Sequence, residues 1–138
     1  MAASIDDILT AIKNNVVAIG SASTNLQNVY KNIPTMSLYA GAAAVSATIL
    51  YTATSTSSTH INTINVCNTA STTATFSLHL VPSGGTASAA NAVFFNVSIA
   101  PNSTMLWTGT LVLPINGTIR ASASVTSVTI MIAGGSAT

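Results

Sequence analysis

The apolar residues of this chain follow two different periods, and the change between them falls at Pro34. Before this proline, one apolar series recurs at strict seven-residue spacing, and a second series follows it four residues behind. In a heptad the first series occupies d positions and the second occupies a positions, which is typical of a helical seam. The predicted oligomerisation seam comprises Ile5, Leu9, Ile12, Val16, Ile19, Leu26, Tyr30 and Ile33.

Local signals mark both ends of this predicted helix. Ser4 occupies an N-cap position, and Asp7 three residues later completes an acidic variant of the capping box. Pro34 ends the helix, because the residue before a proline is pushed out of the α region. β-branched Ile at d with Leu or Val at a favours three or four strands over two. We therefore predict an oligomerisation and anchoring helix over residues 1–34, with a trimeric coiled coil as its leading form. An amphipathic helix that packs on its own β domain is the alternative.

The second region has a period of two. Apolar residues alternate with Thr, Ser or Asn in short runs, as expected for half-buried strands. Strands are predicted at residues 48–52, 93–99, 104–113 and 118–124, besides those that contain the clearest alternation. The predicted core of this region comprises Ile64, Val66, Phe76, Leu78, Leu80, Val97, Ile99, Ile119, Val128, Ile130 and Ile132.

Turn-forming residues separate the predicted strands. Combinations of Pro, Asn and Gly fall at residues 82–85, 101–102 and 116–117. Several short strands with such breaks predict a mainly β fold, an antiparallel β-sandwich or jelly roll, preceded by the N-terminal α-helix. We assign the β domain to residues 47–138 and a small-residue connector to residues 35–46.

Charged side chains are nearly absent from the chain. They make up 4% of the residues, and none lies between Lys31 and Arg120, whereas an average protein is about a quarter charged. A net charge of +1 offers no basic surface to neutralise phosphates, so we expect no nucleic-acid partner. Small and polar residues interrupt the apolar run 36–54, which falls short of the ~20 apolar residues of a membrane helix. We expect no membrane partner.

The scarcity of carboxylates also limits catalysis. The β region contains no Asp or Glu that could orient His60 or His79 in a catalytic triad. The spacing of these histidines and Cys67 matches no zinc pattern. We therefore predict a protein that is not an enzyme, with no catalytic residues, no metal ligands and no cofactor. His79 alternates with apolar neighbours, so its side chain is expected to face solvent or another subunit.

The β region carries a series of motifs in a distinctive order. A strand that ends in V-x-N, at residues 66–68, precedes an F-S-L strand at residues 76–78. A P-x-G-G turn follows at residues 82–85, and a G-x-I-R-A strand comes late, at residues 117–121. Together these motifs form a pattern of strands and turns and not a catalytic signature.

In this order of motifs, residues 60–124 resemble the β domain of small virion structural proteins of tailed bacteriophages. Residues 4–13 are similar to the short helical leaders that precede such domains. The chain departs from the family pattern at residues 113–117, which read LPING where the family has an acidic turn. The departure leaves the expected fold unchanged and alters the expected partner surface at that turn.

The resemblance implies a role in assembly, with the virion as the location. The leading hypothesis is a small homotrimeric fibre on the head, neck or tail. Its partners would be further copies of itself and other virion proteins, such as the capsid, portal or tail adaptor. One alternative is a capsid decoration (cement) protein that stabilises the head lattice, and another is a module that binds host glycans. Neutral Thr-, Ser- and Asn-rich faces suit assembly, since they hydrogen-bond to neighbours without desolvating charges.

Overall fold

The computed structural model describes residues 4–31 and 35–136, which form one long helix, eight β-strands and a short 3₁₀ helix at Ala89–Asn91. The chain divides into two compact units between residues 33 and 34. Helix α1 spans Ile5–Lys31. The strands are β1 (Met36–Ala42), β2 (Thr48–Thr52), β3 (Thr59–Asn68), β4 (Ala74–Val81), β5 (Ala92–Ile99), β6 (Ser103–Leu113), β7 (Thr118–Ala123) and β8 (Val128–Ser136).

The helix begins at the predicted capping box. The Ser4 N–H donates to Asp7 Oδ2 at 3.2 Å, and the Asp7 N–H donates to Ser4 Oγ at 3.1 Å. Two backbone donors that have no partner within the helix are therefore satisfied reciprocally. Asp6 and Asp7 also place negative charge in the first turn, where it complements the helix dipole.

The strands form two antiparallel four-stranded sheets. Sheet A has the order β1-β8-β3-β6, and sheet B has the order β2-β7-β4-β5. Except between β4 and β5, each strand is followed along the chain by a strand of the other sheet. The predicted mainly β fold, antiparallel and preceded by one N-terminal helix, is confirmed.

A single apolar core contains residues of both sheets. Nine of the eleven predicted core residues are buried, and Leu80 and Val97 are half-buried and pack against the others. Each fully buried Ile, Leu or Phe side chain stabilises the fold by about 1.5–3 kcal/mol. The core also includes side chains that the sequence pattern did not select, among them Leu38, Ile61 and Leu113.

Aromatic rings join the two sheets near β5 and β6. The Phe94 ring of β5 lies 5.4 Å from the Phe76 ring of β4, centroid to centroid. Phe94 also meets Trp107 of β6 edge-on, at 6.5 Å between ring centroids. Tilted and edge-on geometries are the favourable ones for aromatic pairs, so this row of three rings stabilises the contact between sheet B and sheet A.

The prediction of a connector at residues 35–46 is wrong for its first half. Strand β1 occupies Met36–Ala42 and pairs along its length with β8, from Met36 opposite Gly134 to Ala42 opposite Thr129. The segment is rich in small residues and has no clear alternation, so its sequence alone resembles a linker. Its strand conformation is supplied by hydrogen bonds to a partner that lies almost one hundred residues later in the chain.

The three predicted turns each contain a residue in the left-handed region. Gly84 has φ 74°, Asn102 has φ 50° and Asn116 has φ 56°. Glycine adopts this conformation without strain, and asparagine tolerates it better than most residues. In the first turn the Gly85 N–H donates to the Pro82 carbonyl at 3.0 Å. This hydrogen bond closes the turn that follows β4.

We expect Gly134→Ala to lower the free energy of unfolding by about 1–3 kcal/mol, the usual cost of overpacking. Gly134 lies in β8 between β1 and β3, and a Cβ atom there would collide with the backbone carbonyl of His60. Urea denaturation of the variant measures the change. Ala42→Ser, at an exposed position of β1, is the control and should change stability by less than about 0.5 kcal/mol. Equal urea midpoints for the two variants would contradict the close approach of Gly134 to the backbone carbonyl of His60.

Candidate functional site

His79 is buried on the outer side of sheet B. Its side chain is 5% exposed, and its Nδ1 lies 3.0 Å from the Ser88 carbonyl oxygen in the segment between β4 and β5. The Phe95 ring meets the imidazole edge-on at 6.5 Å. The expectation of a solvent-facing His79 is therefore wrong, because the β4–β5 segment folds back over the strand.

The other side chains with chemical potential lie apart from one another. His60 and Cys67 are half-buried residues of β3 and belong to sheet A, whereas His79 belongs to sheet B. Across residues 4–31 and 35–136, no group of three His, Cys, Asp or Glu side chains could hold a metal ion. Arg120 is half-buried, and its Nε donates to the Thr118 hydroxyl at 3.2 Å. Within the β domain these residues form no common site.

Helix α1 carries an apolar stripe whose described side chains are exposed. Five of the eight predicted seam residues have described side chains, and all five are more than half exposed. Exposed apolar patches of this extent mark interaction surfaces. The side chains of Leu26 and Tyr30, and Ile33 as a whole, lie outside the described residues. The five exposed seam residues are Ile5, Leu9, Ile12, Val16 and Ile19.

A second apolar surface lies on the outer face of sheet A. Met36 of β1, Met131 of β8 and Leu106 of β6 are 46%, 57% and 64% exposed. They line a groove of about 340 Å³ with mainly apolar walls, which crosses all four strands. Thr35, just before β1, lines the same groove. We call this surface the outer groove.

Sheet B carries a smaller groove of about 170 Å³ with a polar lining. Its hydroxyl and amide groups bond to the protein itself. The Asn96 N–H donates to Ser77 Oγ at 2.9 Å, and the Thr75 N–H donates to Ser124 Oγ at 2.9 Å. These bonds hold the bulged part of β5 and the end of β7 against β4.

Asn68, at the end of the V-x-N strand, organises two loops. It is fully buried, and its Nδ2 donates to the carbonyl oxygens of Thr72 at 2.8 Å, Ile99 at 3.2 Å and Ala100 at 3.2 Å. Its Oδ1 accepts from the Ala70 N–H at 3.0 Å. One neutral side chain therefore ties the β3–β4 loop to the end of β5.

The sequence pattern predicts neither the outer groove nor the role of Asn68. One signal for the groove was available: Met105, Leu106 and Trp107 are three consecutive apolar residues in a strand. Strict alternation would place a polar residue at the middle position, so this run indicates a strand covered on both faces. Asn68 gave no comparable signal, because its partners are loop carbonyls.

Comparison with family models, curated proteins and solved structures finds no match to this chain. Among the described residues, no helix is both long and apolar enough to cross a membrane. The function of the chain is therefore inferred from its own surfaces, in particular from the exposed apolar side chains of the helix stripe and of the outer groove.

We expect Asn68→Leu to lower the free energy of unfolding by about 2–4 kcal/mol, because it leaves buried carbonyls without a donor. The matched control is Asn65→Leu in the same strand. Asn65 Oδ1 is buried and has no hydrogen-bond partner among the described residues, so its loss should cost less than about 1 kcal/mol. Urea denaturation measures both, and similar losses for the two variants would argue against the proposed role of Asn68.

Proposed function

We propose that this chain is a non-enzymatic structural protein of a bacteriophage virion, a small homotrimeric fibre attached to the head, neck or tail. The observation that carries the proposal is the exposed apolar stripe of α1. Burial of an Ile, Leu or Val side chain contributes about 1.5–3 kcal/mol, so a coiled coil of several copies gains most from covering it. The 27-residue helix would supply a seam about 40 Å long.

The strand order supports a jelly-roll β domain. Jelly rolls are double-sheet structures of eight strands in two Greek keys, and they occur in viral capsid and lectin domains. In this chain β1 pairs with β8, and each sheet draws strands from both halves of the β domain. Such an order agrees with the jelly-roll class and with a module that is displayed on a particle.

The neutral surface of the β domain supports contacts with other proteins of the particle. Arg120 is its one charged residue of the Lys, Arg, Asp and Glu types. Burial of Ser, Thr and Asn in a contact requires hydrogen-bond partners but no ion pair, which makes close packing less costly than for charged faces. We propose capsid, portal or tail-adaptor proteins as the partners, in addition to further copies of the chain.

A capsid decoration protein is the second candidate, favoured by the same exposed stripe. In that case α1 would bind along capsid subunits as an arm, and the free protein would be a monomer in solution. Native mass spectrometry of the purified protein distinguishes the two, because a fibre is already trimeric before it meets the particle.

Recognition of host glycans is the third candidate, favoured by the polar groove on sheet B. Hydroxyl and amide groups such as those of Ser77 and Asn96 are suited to sugar hydroxyls, although here they also bond to each other. A glycan array probed with the intact oligomer tests this function. Binding that is lost in Asn96→Ala would favour the glycan candidate over a purely structural protein.

The seam itself is tested by two adjacent valines. Val16 occupies an a position and Val17 the next position outside the seam, and they are 62% and 60% exposed. Val16→Asp would bury three carboxylates in a trimer at a cost of at least ~1 kcal/mol each. We expect its dissociation constant to rise roughly 100-fold or more, as measured by sedimentation equilibrium.

Val17→Asp is the matched control, with the same change of side chain at nearly the same exposure. It should leave the trimer intact, because the carboxylate stays in water. A monomeric wild-type protein, or equal effects of the two substitutions, would overturn the coiled-coil proposal.

A further inference from the structure

The outer groove is an apolar surface that lies beside polar side chains such as Thr63 and Asn65 on the same face of sheet A. Within one row across sheet A, Leu106 of β6 lies opposite Asn65 of β3, and Asn65 lies opposite Met131 of β8. Leu106 and Met131 are more than half exposed, and Met36 extends the apolar surface to β1. The groove therefore crosses the sheet instead of following one strand.

The charge of the surface restricts the type of partner. The strands of sheet A contain no Lys, Arg, Asp or Glu. Interface centres are depleted of charge and enriched in Met and other large apolar residues. The groove therefore suits a partner whose own surface is apolar and neutral, and the same face of another copy of this chain has that character.

Chain connectivity brings the grooves of several copies together. Helix α1 ends at Lys31, and Thr35 lines the groove. Because the helix and the groove belong to one chain, association of the helices would raise the effective concentration of the grooves of neighbouring copies for one another.

We propose that the outer grooves of neighbouring copies face one another, with Leu106 and Met131 of each β domain buried against the same face of the next. This inference rests on the proposed trimer and adds a second interface to it, between β domains. The helices then determine how many copies associate, and the outer grooves determine which face of the β domain turns inward.

Cysteine cross-linking tests the contact directly. Cys67 is replaced by serine, because it is a free, half-buried thiol in β3 of the same sheet. Met131→Cys is then compared with Ile49→Cys, which lies on sheet B at 53% exposure against 57% for Met131. A short bifunctional maleimide should join the chains of the Met131→Cys variant into covalent dimers and leave most chains of the Ile49→Cys variant single.

Native mass spectrometry of the same samples separates the two proposals. A trimer whose residue 131 forms no covalent dimers overturns the groove contact and leaves the helical trimer intact. If that residue also reacts slowly with a monofunctional maleimide, helix α1 covers the groove instead of a second β domain. If it reacts as fast as residue 49, the groove is open to solvent. A monomeric native mass overturns the trimer and the groove contact together.

Leu106→Asp provides a second measurement that does not depend on cross-linking. Leu106 is 64% exposed, so the substitution should leave the circular dichroism spectrum and the fold of each copy unchanged. We expect at least a tenfold rise in the dissociation constant of the trimer, and no rise for Ile49→Asp. Equal dissociation constants for Leu106→Asp and the wild type would contradict the inward-facing groove.

Discussion

The placement of β8 between β1 and β3 is the constraint on which the rest of the β domain depends. β8 completes sheet A because it pairs with β1 on one side and with β3 on the other. Met36 of β1 lies opposite Gly134, and Asn68 of β3 lies opposite Val128. Its inward residues, Ile130 and Ile132, also belong to the buried core. Before β8 is in place, β1 has no ladder partner and β3 is paired only with β6. Sheet A is therefore stabilised almost entirely by contacts between distant parts of the sequence, a topology that folds slowly.

Neutral hydrogen bonds take the place of charge throughout the domain. Asn68 joins two loops, the Ser88 carbonyl meets buried His79, and Ser77 pairs with Asn96. Each of these polar groups is satisfied by an amide, hydroxyl or backbone atom. Because none of these bonds uses a carboxylate or an ammonium group, salt in solution should have little effect on them.

The features that the sequence predicts are those encoded by local pattern. Alternation and turn residues placed β2 at residues 48–52 as observed, and they located β5, β6 and β7 to within a residue. The capping box marked the start of α1 in the same way, whereas the predicted end at Pro34 lies outside the described residues. The missed features are not encoded by local pattern. β1 becomes a strand through β8, and His79 is buried by the segment between β4 and β5, which contains the short 3₁₀ helix Ala89–Asn91. For the candidate site, the heptad indicated the helix stripe, whereas the outer groove arises only when four strands from separate parts of the chain lie side by side.

The uncharged outer faces have a consequence for how closely copies of the protein can crowd. Like-charged proteins repel one another over about 8–10 Å at moderate salt, and this repulsion sets a spacing between molecules on a surface. A β domain whose charge rests on Arg120 and two histidines has almost no such repulsion. Neighbouring domains can therefore approach until their side chains touch, so the closest spacing between copies is limited by their size and not by their electrostatic field.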